Sequence, residues 1–146
     1  MNLQELSAHL ERECYQPSVY HIGSAWGVCG DTFCIERVGG QFEVFYVERG
    51  QRGEAIHRCE SESAACDAFL AALDRERFSR AHCVGFFTTK SEADSLSERL
   101  VSAGITVHRD AIPYSSTTDM RYRVFVFGRD KIRAQKMIDH AIRPVA

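Results

Sequence analysis

Apolar residues recur along this chain in two rhythms, one suited to helices and one to strands. Leu3, Leu6, Leu10 and Cys14 fall three or four residues apart, which lines one stripe of a helix ending near Tyr15, ahead of Pro17. Asn2 stands where an N-cap belongs, with Glu5 three residues on. A short apolar start at 19–22 leads into a glycine-punctuated stretch, and a strand is predicted from about Thr32. The run CIERVGGQFEVFYVERG (34–50) then alternates in period two on either side of Gly39-Gly40. Both glycines tolerate the positive φ of a type I′ turn, so 33–38 and 41–48 are predicted to form a hairpin. A further strand is expected over EAIHRC (54–59), after a turn at 50–53. From Ser61 the spacing of Ala65, Cys66, Phe69, Ala72 and Leu73 marks the core face of a second helix.

The second half repeats neither this order nor its motifs. AHCVGFFTT (81–89) reads as a strand running into a helix, for which Thr89 and Glu92 form a capping box and Ala93, Leu96 and Leu100 the buried stripe. Gly104 fits the C-cap of that helix. A strand at 105–112, a polar loop (PYSSTTDM) and the strongly β-forming RYRVFVFG follow. A last helix is predicted to bury Ile132, Met137 or Ile138, and Ile142. The order α-β-β-β-β-α then β-α-β-β-α predicts an α+β domain over 1–146. It is built as two halves: 1–80, a helix with antiparallel hairpins, and 81–146, of ferredoxin-like order. The charged DRERFSR (74–80) is the expected seam.

The two-residue turn dictates a register with consequences. Val38 pairs Gln41, Arg37 pairs Phe42, Glu36 pairs Glu43, Ile35 pairs Val44, Cys34 pairs Phe45 and Phe33 pairs Tyr46. One face then collects Phe33, Ile35, Phe42, Val44 and Tyr46 as core. The other mixes Glu36 and Glu43 with Cys34, Val38, Phe45 and Val47, which predicts an acidic, partly apolar exposed surface. Directly opposed like charges cost a few tenths of a kcal/mol up to about 1 kcal/mol. Continuing the register sets Asp31 opposite Glu48. Arg37 and Arg49 are the nearby candidates to neutralise these pairs in an ordinary solvated sheet; the alternative is a surface held ready for a basic partner.

Charge and composition narrow the functional classes. Twenty acidic residues are interleaved with 18 basic ones and no like-charge block forms, so neither nucleic acid nor a membrane is an expected partner. The N-terminus lacks the apolar run of a signal peptide, and no stretch reaches the length of a membrane span, so a cytoplasmic location is expected. Six cysteines in a reducing compartment act as small buried hydrophobes. They form no C-x-x-C pair, and no metal site or other cofactor is expected. No nucleophile elbow accompanies the six histidines, so the chain is not expected to be an enzyme and no catalytic residue is assigned. RYRVFVF lacks the glycine pattern of an RNA-binding sheet.

From Tyr20 to Leu70 the layout resembles that of small bacterial immunity proteins encoded beside polymorphic toxins of the contact-dependent and Rhs type. An aromatic-Cys-Ile-Glu strand (33–36), the Gly39-Gly40 turn, a Val-aromatic-Tyr-x-Glu-Arg-Gly strand (44–50) and an Ala-Cys-x-x-Phe helix (65–69) carry it. The resemblance implies a non-enzymatic inhibitor that binds one cognate toxin C-terminal domain, a nuclease being favoured by the acidic surface. Glu36, Glu43 and Glu48 are then the expected electrostatic contacts, with Trp26 and Phe45 as anchors. Trp26 lies in a glycine-flanked loop, although a core position fits it equally. The second half, VGFFTTKSEADSLSERLVSAGITVHRD followed by YRVFVFG and a helix, resembles the core of SPOR-type peptidoglycan-binding modules, which implies the alternative of a glycan-binding or small-ligand regulatory module.

Overall fold

The computed structural model describes residues 1–142, with side chains through residue 139. It is an α+β protein with four α-helices and eight strands in two sheets among the described residues. The chain divides into two compact units, Met1–Ser79 and the remainder from Arg80 on.

The first unit opens with α1 (Leu3–Arg12), where the Asn2 side chain accepts from the Glu5 backbone N–H. Its C-terminus closes as a Schellman motif: Tyr15 N donates to Leu10 O, Cys14 N donates to Glu11 O, and Cys14 itself takes a left-handed φ of 56°. The predicted apolar stripe therefore stops at Leu10, because Cys14 has already left the helix. Five strands follow: β1 (Tyr20–Ile22), β2 (Thr32–Val38), β3 (Gln41–Glu48), β4 (Gln51–Arg52) and β5 (His57–Cys59). The β2–β3 register is the predicted one, from Val38↔Gln41 through Glu36↔Glu43 to Thr32↔Val47, but the turn is not the expected type I′: Gly39 takes a positive φ of 63° and Gly40 does not.

Two features depart from the expectation of a four-stranded antiparallel sheet. β1 pairs parallel to β2. A fifth strand, β4, turns back on β3 immediately after Arg49-Gly50, and β5 pairs farther along the same edge. Between them the chain passes so close to β3 that Gly53 N donates to Tyr46 O at 2.8 Å, and a Cβ on Gly53 would stand 2.9 Å from that oxygen. Only glycine fits there.

Helix α2 (Glu62–Arg75), capped by Ser61, buries Ala65, Cys66, Phe69, Ala72 and Leu73, as the spacing predicts. With Leu6, Leu10, Ile35, Phe42 and Val44 most of these form the main core of the unit. The opposite sheet face is covered as well: Cys34, Phe45 and Val47 pack beneath Ala25 and Val28 of the 23–31 loop.

The second unit contains β6 (Ala81–Phe87), α3 (Lys90–Ser102), β7 (His108–Pro113), β8 (Met120–Phe127) and α4 (Asp130–Ile142). Its antiparallel sheet has the order β6-β8-β7. At the start of α3, the Thr89 hydroxyl accepts from Glu92 N and donates to the Glu92 carboxylate, which is thus tied to the cap hydroxyl. Gly104, at φ 81°, and Ile105 complete a Schellman motif at its end. The buried stripe of α4 runs through Ala134 with Met137 and Ile138, whereas Ile132 is largely exposed. The expected burial of Ile142 lies outside the described side chains.

Candidate functional site

The β2–β3 hairpin places Glu36 opposite Glu43, and the next strand brings Arg58 opposite Glu43 on its other side. A row Glu–Glu–Arg therefore crosses three strands on one face. Arg52 reaches the same row from β4. Its Nη1 donates to Glu36 Oε2 at 2.9 Å and its Nη2 to Glu43 Oε2 at 2.5 Å, while Arg58 Nε donates to Glu43 Oε1 at 2.8 Å. One guanidinium thus joins the opposed carboxylates, and a second completes the charge balance. The hydrogen bond from Arg58, reinforced by Arg52, holds the Glu43 carboxyl below the usual carboxylate range despite some opposing desolvation.

This arrangement corrects the sequence reading in two respects. The neutralising cations are Arg52 and Arg58, rather than Arg37 and Arg49. Arg37 lies over the Phe42 ring at 5.8 Å, and the backbone N–H of Arg49 donates to Asp31 Oδ1 at 2.9 Å. The face is also no exposed apolar patch. Phe45 has no solvent-accessible surface, and the Arg52 guanidinium sits 3.6 Å from its ring centroid, so the expected anchor is closed off by loop and arginine together. Cys34 beside it is likewise buried, and desolvation, with a smaller push from Glu36, raises its thiol to about 11 against the opposing effect of Arg52.

Trp26 is placed differently. The loop that covers Phe45 is fixed by Gly23 N donating to Ile35 O, His21 Nε2 donating to Ser24 O at 2.6 Å and Val28 N donating to Ala25 O. Gly23 and Gly27, at φ 111° and 82°, bracket it. Ala25 and Val28 turn inward to the Cys34–Phe45–Val47 cluster, and the indole between them is 93% exposed. Beside it runs an open groove of about 420 Å³ lined by Ala25, Trp26, Val28, Glu36, Val47 and Arg52, among others. Of the sequence-predicted residues, Trp26 and Glu36 thus meet at one groove. Glu43 stands behind Arg52, Phe45 lies beneath, and Glu48 is exposed at the far end of β3. Arg52 was missed because β4 is two residues long, although its alternation with Gly50 as a turn residue places it on the Glu43 face.

Among the described residues no group of three or more His, Cys, Asp or Glu is arranged to hold a metal ion, and all six cysteines are free thiols. Among the described residues no helix is long and apolar enough to cross a membrane. Compared with protein-family models, with curated protein sequences and with solved structures, the chain matches none.

Proposed function

We propose that the chain is a cytoplasmic immunity protein, without catalytic activity, that docks Trp26 and the groove beside it onto a cognate bacterial toxin domain and neutralises it. The observation that carries this reading is the exposure of Trp26 on a loop otherwise anchored inward. Tryptophan is the side chain most enriched among the energetic centres of protein interfaces, and a rigidly based indole loses little freedom on binding. The adjoining Glu36–Arg52 pair offers both a donor and an acceptor group at the groove wall. The partner class comes from the sequence resemblance. The preference for a nuclease rested on an open acidic face, and with Glu36 and Glu43 bridged by arginines it rests on the acidic residues at the far end of the hairpin alone.

The reading predicts a toxin-like tail encoded upstream, and co-expression with that tail tests it. The chain is expected to restore growth, and Trp26→Ala to weaken affinity at least tenfold, the scale of an interfacial hot spot, with an unchanged melting temperature. Undiminished affinity of Trp26→Ala would exclude this surface, and a neighbourhood without any such toxin gene would remove the partner class.

One observation favours the second reading, a glycan-binding or small-ligand module. On the sheet face opposite α3 and α4, the second unit carries Phe86 and Tyr114, both largely exposed, in edge contact at 5.8 Å, with Arg121 stacked on Tyr114 at 4.3 Å. Retention on peptidoglycan, lost in Tyr114→Ala, supports it.

A further inference from the structure

The first unit has a second cavity, on the other face of the hairpin from Trp26. Phe33 and Tyr46 are direct cross-strand partners with ring centroids 4.8 Å apart, tilted by 53°. With Val19, Asp31, Glu76, Phe78 and the buried Ser79 they line a partly open cavity of about 300 Å³. That volume is at the lower end for ligand sites and suits a single side chain or a small amine. Three aromatic rings and two carboxylates line it, and Glu48 lies close enough to act on the same phenol. Burial, then the charges of Asp31, Glu48 and Glu76, push the Tyr46 hydroxyl above its ordinary value. No side-chain ion pair to any of these three carboxylates forms among the described residues. Arg77 lies over the Phe78 ring at 5.4 Å but does not line the cavity.

We propose that this aromatic cavity binds an organic cation, a guanidinium or alkylammonium group, between the Phe33, Tyr46 and Phe78 rings and the Asp31 and Glu76 carboxylates. Ring faces attract cations through their quadrupoles, and a cage of several rings is the usual receptor for groups too large and too weakly hydrated for a carboxylate alone. The carboxylates supply the charge that the rings lack. An anion or a neutral apolar ligand would leave all three carboxylates without a counter-charge. The site is independent of the Trp26 groove and does not rest on the proposed toxin partner.

The cation has two possible sources, a free amine or an arginine presented by a peptide. Aromatic NMR shifts of Phe33 and Tyr46 distinguish them when the full chain is titrated with agmatine, with an acetylated and amidated Gly-Arg-Gly peptide, and with the citrulline analogue of that peptide as neutral control. Saturating shifts with either cation, and none with the citrulline peptide, are expected. Tighter binding of the arginine peptide assigns the site to a protein side chain, and tighter binding of agmatine assigns it to free amines. Glu76→Gln, at an exposed position whose side chain supports no hydrogen bond, should weaken binding about two- to fivefold, the scale of an exposed ion pair. Phe33→Leu, checked for an unchanged melting temperature, should weaken it about fivefold. Silence of both rings toward both cations, equal response to the citrulline peptide, or binding unaltered by Glu76→Gln would overturn the proposal.

Discussion

The β2–β3 hairpin carries carboxylates at both ends, and the two ends treat them in opposite ways. At the turn end, Glu36 and Glu43 face each other and share Arg52, with Arg58 closing the row. At the open end, Asp31, Glu48 and Glu76 gather near Tyr46 without an ion pair among the described residues. The turn-end pair is thus a structural element built with its own counter-ions, whereas the open end displays net negative charge beside an aromatic cavity. Opposition of like charges in a register does not by itself mark a binding surface. The open end differs in that its carboxylates have no ion-paired counter-charge among the described residues, Asp31 accepting only from the Arg49 backbone N–H.

Charge reversal at the turn end separates these roles most strongly. Glu36→Lys combined with Glu43→Lys removes three ion pairs and sets two new cations against Arg52 and Arg58. The expected loss is about 2 kcal/mol of folding stability by urea denaturation. A surface built only for a basic partner would tolerate the same change with an unaltered midpoint. A smaller effect is expected on acidification. Because Glu43 titrates lower in the folded protein than in the unfolded chain, its stabilising contribution is complete above the ordinary glutamate value of about 4.3 and is lost as pH falls through the depressed folded value. Asp94, Asp110 and Asp119 shift in the same direction through hydrogen bonds to Arg109, to Arg123 and to Ser115 and Arg121 respectively. Stability should therefore decline below about pH 4.3, less steeply in Glu43→Gln. The smallest effect belongs to the open end: Glu76→Gln should change stability by less than about 0.5 kcal/mol, with a slight gain from relieved repulsion.

Much of this fold was legible in the sequence where a local rule decides it. Gly39-Gly40 set the hairpin register, Asn2 and Thr89 acted as caps, and the α2 core face followed from spacing alone. What escaped depended on residues far apart in sequence. Nothing local in Tyr20–Ile22 announces parallel pairing with β2, since that choice is made by the loop that returns over Phe45. The same loop converts the second hairpin face from surface to interior, which removes Phe45 as an anchor while leaving Trp26 outside. In α4, the expected packing of Met137 or Ile138 holds, whereas Ile132 is exposed and the fully buried position belongs to Ala134, too small to stand out in the apolar pattern.

The claim that the opposed glutamates form a structural bridge through Arg52 is tested most directly by a double-mutant cycle in urea at neutral pH. Arg52→Ala is measured in the wild-type chain and in the chain carrying Glu36→Gln and Glu43→Gln. Arg52→Ala is expected to cost about 1–2 kcal/mol in the wild type, from two ion pairs and the cover over Phe45. About 1 kcal/mol of this loss should disappear in the glutamine background. Equal losses in the two backgrounds would mean that Arg52 does not bridge the glutamates.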